Sequence, residues 1–119
     1  MAFLRQIIDS IKMLTRPESL NSLAQSLGPG LYVVLTKWLP GNMSRPHFHP
    51  NNRFITVLKG TWWMGTGNTF DPASTVPVPA GTFVTHFGKQ VHYDGAKDEE
   101  CVLLITGEGP ATSTLVKPQ

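Results

Sequence analysis

Gly41-Asn42-Met43-Ser44-Arg45-Pro46-His47-Phe48-His49-Pro50-Asn51-Asn52-Arg53 opens the stretch that decides the reading of this chain. It runs on through Phe54-Ile55-Thr56-Val57-Leu58-Lys59-Gly60. His47 and His49 stand two residues apart in a segment that reads as strand, and residues i and i+2 of a strand point to the same face. At a rise of about 3.3 Å per residue their Cα atoms lie about 6–7 Å apart, so both imidazoles can converge on one ion. The competing reading is a pair of solvent-facing or hydrogen-bonded side chains. The chain has four histidines, and the other two, His86 and His92, fall together in one later stretch. That concentration favours a site, and imidazole is the commonest protein ligand for zinc, iron, copper and nickel.

Outward from this stretch the pattern is of short strands. Leu31 to Leu39 is rich in β-formers and closes at Pro40-Gly41. Arg53 to Leu58 is followed by a turn at Lys59-Gly60 and by Thr61-Trp62-Trp63-Met64-Gly65, which together predict a hairpin. Further strands are expected at Thr75 to Val78, Thr82 to Phe87, Val91 to Tyr93 and Cys101 to Thr106, with a β-like patch at Ser113 to Val116. Turns separate them at Pro79-Ala80-Gly81, Phe87-Gly88-Lys89 and Asp94-Gly95-Ala96-Lys97-Asp98. Many short strands with regular turn signals indicate a sandwich or barrel.

The first thirty residues differ. Phe3, Leu4, Ile7, Ile8, Ile11 and Leu14 recur at helical spacing opposite Arg5, Gln6, Asp9, Ser10 and Lys12. Leu20, Leu23, Ala24 and Leu27 mark a second short helix that stops at Gly28-Pro29-Gly30. Such a pair reads as a lid or interface element. The division expected is a helical segment over 1–30 and a β-barrel domain over 31–119.

At 119 residues the chain is one domain. One cysteine, Cys101, permits no internal disulfide, and its apolar neighbours predict a buried, inert thiol. The net charge of +2 is small and the basic residues are scattered, so nucleic acid is not an expected partner. No apolar run approaches the ~20 residues of a membrane span, and the N-terminus lacks the apolar core of a secretory signal. The expectation is a soluble, cytoplasmic protein with no membrane partner.

Gly41, then His47-Phe48-His49, then Arg53 and Gly60, with these spacings, resembles the first motif of the cupin family. The position held by Arg53 is usually a glutamate there. Pro79-Ala80-Gly81 resembles the start of the second cupin motif, whose histidine commonly falls at the position of Val84. A later histidine is similar to the extended variant in cupins of the anti-sigma-factor type and in three-histidine dioxygenases, and on that match His92 is the third ligand. The resemblance covers about residues 31–109. It implies a double-stranded β-helix of two antiparallel sheets, a metal in the barrel mouth, and commonly a homodimer.

The metal set so implied is His47, His49 and His92 around one divalent transition metal (Fe, Mn, Ni, Zn or Cu), with His86 in reserve because it shares strand parity with Val84. Three neutral imidazoles leave positions open for water or substrate. A dioxygenase, lyase or isomerase acting on a small organic molecule is one functional class. A non-catalytic ligand-binding or sensing protein is the other. Arg53, Trp62 and Val84 are candidate substrate contacts. Asp94 is either a carboxylate that orients a histidine ring or a turn residue beside Gly95. Arg53 cannot ligate a cation, so it pairs with a carboxylate, binds an anionic group, or replaces the metal. If His47 and His49 face inward, parity places Asn51, Arg53, Ile55 and Val57 inward and Phe54 and Leu58 outward. Trp62 and Trp63 take opposite faces.

Overall fold

The computed structural model describes residues 29–117. The two expected helices lie outside the described residues. Nine strands follow in order: β1 (Gly30–Trp38), β2 (His47–Phe48), β3 (Arg53–Lys59), β4 (Thr61–Thr66), β5 (Val76–Pro79), β6 (Phe83–His86), β7 (His92–Gly95), β8 (Cys101–Gly109) and β9 (Thr114–Leu115). A single turn of 3-10 helix, Pro72–Ser74, is capped by the Asp71 carboxylate, which accepts from the Ala73 amide at 3.1 Å. No helix among the described residues is long and apolar enough to cross a membrane.

The strands form two antiparallel sheets, one ordered β1-β8-β3-β6 and the other β5-β4-β7-β2-β9. Their inner faces meet to form the barrel. In the first sheet the register fixes inward rows. Tyr32, Gly107, Arg53 and His86 make one row; Val34, Ile105, Ile55 and Val84 the next; Thr36, Leu103 and Val57 the third; Trp38 and Cys101 the last. The second sheet supplies His47, His92 and Thr66, then Asp94 and Met64, then Trp62 and Val78. Both sheets therefore run from a polar end to an apolar one.

The apolar end is the core. Tyr32, Ile55, Val57, Trp62, Val78, Ala96, Cys101, Leu103 and Ile105 form one buried cluster, with Trp62 and Val57 fully enclosed. Each fully buried large side chain contributes about 1.5–3 kcal/mol. Burial also raises the Cys101 thiol to about 12, so it stays protonated. As parity predicts, Phe54 and Leu58 lie exposed on the outer face. Trp62 points in, whereas Trp63 packs outside under Lys97, whose ammonium sits 3.9 Å from its ring centroid.

The expected hairpin between β3 and β4 does not form. β3 pairs with β6 and β8, and β4 pairs with β5 and β7. The register of β3 on β8 slips between Val57 and Lys59, and Gly60 adopts a φ of +75°. Together these carry the chain around a barrel corner from one sheet to the other. A Cβ at Gly60 would collide with the Glu100 carbonyl, so no other residue fits that corner. The turn expected from Asp94 also begins later, because β7 extends through Gly95.

Candidate metal centre

His47 and His92 are direct cross-strand partners on β2 and β7, with ring centroids 4.4 Å apart. His49 follows β2 and places its ring 5.0 Å from His47 and 5.1 Å from His92. One ligand atom from each lies within 4.8 Å of the others, and all three residues are buried. β2 is only two residues long, yet the same-face relation of His47 and His49 holds.

The hydrogen bonds of the rings are more informative than their proximity. Nδ1 of His47 faces the Arg45 carbonyl at 2.7 Å, Nδ1 of His49 the Thr112 carbonyl at 3.0 Å, and Nδ1 of His92 the Gln90 carbonyl at 3.3 Å. A carbonyl only accepts, so each Nδ1 carries the proton and each Nε2 presents its lone pair. Backbone carbonyls that hold Nδ1–H in this way set both tautomer and ring orientation for a metal ligand. The Nε2 of His92 is buried with no partner. Such an orphaned acceptor is costly unless a cation or donor completes it. The donor set therefore fits a divalent transition metal.

Burial keeps His49 and His92 neutral, which ligation requires. Burial lowers His49 to about 2, reinforced by the charge of Arg53 and opposed by the Thr112 hydrogen bond. Burial lowers His92 to about 4, opposed by the nearby Asp94. His86, lowered to about 3 by burial and then by its neighbour His92, stacks against the group with its ring centroid 3.9 Å from that of His92. Its Nε2 lies 3.1 Å from the Met64 sulfur and its Nδ1 is buried without a partner.

Arg53 enters from the opposite sheet, level with His86 and Gly107. The chain breaks strand geometry between β2 and β3, so the parity argument that put Arg53 beside His49 crosses an irregular segment. The two side chains nevertheless meet across the barrel: Arg53 Nη1 donates to His49 Nε2. Of the three roles open to Arg53, pairing with a carboxylate is not found among the described residues, where the ion pairs join Lys37 and Lys59 to Glu100. Arg53 Nε is buried and unpartnered. Asn51, expected inward, instead donates to the Glu108 carbonyl at 3.1 Å and lines a surface groove beside Phe54. The irregular Pro50–Asn52 segment, outside any strand, breaks the alternation that would have turned it in.

Asp94 is neither of the things expected of it. It is a buried β7 residue whose carboxylate accepts from Trp62 Nε1 at 2.9 Å and from Ser44 Oγ at 2.7 Å. No histidine ring nitrogen donates to it. Burial alone would raise its carboxyl, but attraction to His47, His92 and His86 and the Ser44 hydrogen bond hold it below the ordinary carboxylate range. Trp62 is thus fully enclosed and committed to Asp94, while Val84 lines the inner wall half-buried, packed against the core. Ser44 and the three carbonyls carry much of the positioning. Carbonyls leave no residue-type signature, although two of them, Arg45 and Gln90, sit two residues before their histidines.

No protein-family model and no curated protein matches the sequence. Solved structures do. The polyketide cyclase RemF from Streptomyces resistomycificus superposes with a TM-score of 0.65 at 18% identity, covering 77% of this chain and 64% of its own. The DMSP lyase DddQ from Ruegeria pomeroyi gives 0.63 at 17% identity, covering 77% and 46%. This chain has the cupin fold. An uncharacterised protein with a double-stranded β-helix domain from Klebsiella pneumoniae gives 0.62 at 21% identity, covering 92% of this chain and 96% of its own. The match thus spans less than two thirds of RemF and less than half of DddQ.

Proposed function

We propose that this cupin holds one divalent transition metal through His47, His49 and His92 and acts on a small organic anion bound in the barrel mouth. The observation that carries the reading is the shared tautomer: three Nδ1–H groups held by carbonyls, on three buried rings whose ligand atoms lie within 4.8 Å of one another. When bound, the metal would supply Lewis acidity or redox chemistry of the kind that dioxygenase, lyase and isomerase reactions share. This chain's own residues supply the rest. Arg53 binds the anionic group of the substrate through its guanidinium fork. Val84 gives the adjoining wall an apolar surface. Asp94, held by Trp62 and Ser44, places a fixed negative charge behind the histidines. Neighbouring cupin folds that include a lyase and a cyclase support small-molecule chemistry at such a mouth.

A second reading is a metal-free barrel that senses or carries an anion, and Arg53 on His49 Nε2 favours it. Elemental analysis of the purified full chain separates the two. Near-stoichiometric metal that falls sharply in His49→Ala supports the enzyme. Full occupancy in that variant contradicts the ligand assignment, and a metal-free wild type that retains an anion supports the second reading.

The outer face of the β1-β8-β3-β6 sheet bears on assembly. Leu31, Val33, Phe54 and Phe83 are exposed there, Phe54 and Phe83 stack with centroids 6.3 Å apart, and a groove of about 510 Å³ runs beside Phe54. Exposed apolar side chains gathered on one face suit an interaction surface. A homodimer formed through this face is the arrangement proposed, and sedimentation at micromolar concentration tests it. A clean monomer near 13.1 kDa contradicts it.

A further inference from the structure

Arg53 and a metal ion require the same atom. Arg53 Nη1 donates to His49 Nε2, and that single lone pair accepts a hydrogen bond or makes a coordinate bond, not both. The guanidinium remains charged at any working pH. A dication approaching the three histidines therefore meets a blocked ligand and a like charge. Arg53 has no carboxylate partner among the described residues, and the buried carboxylate nearby, Asp94, is already taken by Trp62 and Ser44. Its Nε is buried with no partner at all. An incoming carboxylate thus finds a partly buried guanidinium whose sole polar contact among the described residues is a neutral imidazole. A bidentate, charge-assisted pair is stronger than that contact and also satisfies Nε.

We propose that anion binding and metal binding are coupled through Arg53: a carboxylate ligand draws the guanidinium off His49, frees Nε2, and so completes the metal centre. The proposal rests on the trihistidine reading above and adds how that centre is loaded. Without an anion, Arg53 guards the site against metal. With one, the anion screens the guanidinium from the metal and the lone pair is released. Coupling of this kind is reciprocal, so metal raises carboxylate affinity by the same factor, typically about 5–150-fold.

The test is titration of the metal-free full chain with Co²⁺, followed by visible absorption, in acetate and in chloride buffers of equal pH and ionic strength. The wild type is expected to bind Co²⁺ about 5–150-fold more tightly in acetate. Arg53→Met, which keeps bulk and removes the donor and the charge, is expected to bind Co²⁺ tightly in chloride and to gain little from acetate. Acetate enhancement that persists unchanged in Arg53→Met overturns the role of Arg53. Co²⁺ binding by the wild type that ignores acetate overturns the coupling while leaving the metal centre intact. Absence of Co²⁺ binding by both proteins overturns the metal centre and the coupling with it. Should Arg53→Met fail to fold, the reciprocal measurement on the wild type decides: acetate affinity, read by NMR, must rise with Zn²⁺ by the same factor, and an unchanged affinity contradicts the proposal.

Discussion

The two ends of this barrel are made by the same two sheets and differ in what they bury. At one end Val57, Trp62, Leu103 and Cys101 are enclosed, and every large side chain there adds to stability. On the inner faces of the same two sheets, the other end holds Arg53, His86 and His92 with buried nitrogens left without partners. An unsatisfied buried polar atom costs about 1–3 kcal/mol; the histidine end holds three, and the apolar end holds Thr36 Oγ1 and Trp38 Nε1, offset there by the burial of its large side chains. The apolar core and the candidate metal centre are thereby separated along the barrel axis, with Asp94 between them.

Acid breaks this balance most severely. His49, His86 and His92 sit at about 2, 3 and 4, below the ordinary histidine value of 6.5, so the unfolded chain takes up protons first as pH falls. Their contribution is complete above about pH 6.5 and is lost progressively toward pH 4 and below. Asp94, held below its ordinary value, adds loss in the same direction at still lower pH. Urea denaturation of the metal-free protein across this window should show stability falling steeply. A flat profile would mean that the histidines are solvated in the free protein.

Leu103→Ala attacks the apolar end alone. It should cost about 2–5 kcal/mol in urea or thermal unfolding, with metal content per folded chain unchanged. Metal loss without destabilisation would erase the separation between the two ends. Trp62→Phe tests the joint between them. It removes a donor to Asp94 and should cost about 1–3 kcal/mol. Equal stability to the wild type would show that Ser44 alone suffices for the carboxylate. The smallest effect is expected at His86→Ala. Because His86 lies beside the three-histidine set and not in it, metal affinity should change far less than in His49→Ala, as read by chelator competition. Equal losses would make His86 a ligand.

The same contrast explains what the sequence disclosed. The apolar end is written in residue type, so Ile55, Val57 and Leu103 announce themselves by alternation, and outward Phe54 and Leu58 by opposite parity. The candidate site was legible where side-chain type and spacing coincide: His47 and His49 by a two-residue interval, Arg53 by its departure from the family glutamate. His92 needed the family resemblance, because its partnership with His47 is a cross-strand pairing of distant residues. The false hairpin at Gly60 arose because a glycine turn between two strands reads alike whether it reverses the chain or carries it to a second sheet. Asp94 was misread because Asp-Gly is a turn signal, whereas tertiary bonds to Trp62 and Ser44 keep it in strand. Carbonyl partners were invisible in principle, since every residue has one.

The central claim is that His47, His49 and His92 are held as Nδ1–H tautomers with Nε2 reserved for a metal. Long-range ¹H–¹⁵N NMR of the ¹⁵N-labelled, metal-free protein near pH 7.5 reads each ring directly. The account predicts the Nδ1–H tautomer at all three residues, and selective perturbation of their Nε2 signals by one equivalent of Zn²⁺ in acetate buffer, with His86 little affected. Protonated Nε2 at any of the three, or Zn²⁺ that leaves these signals unmoved, would contradict it.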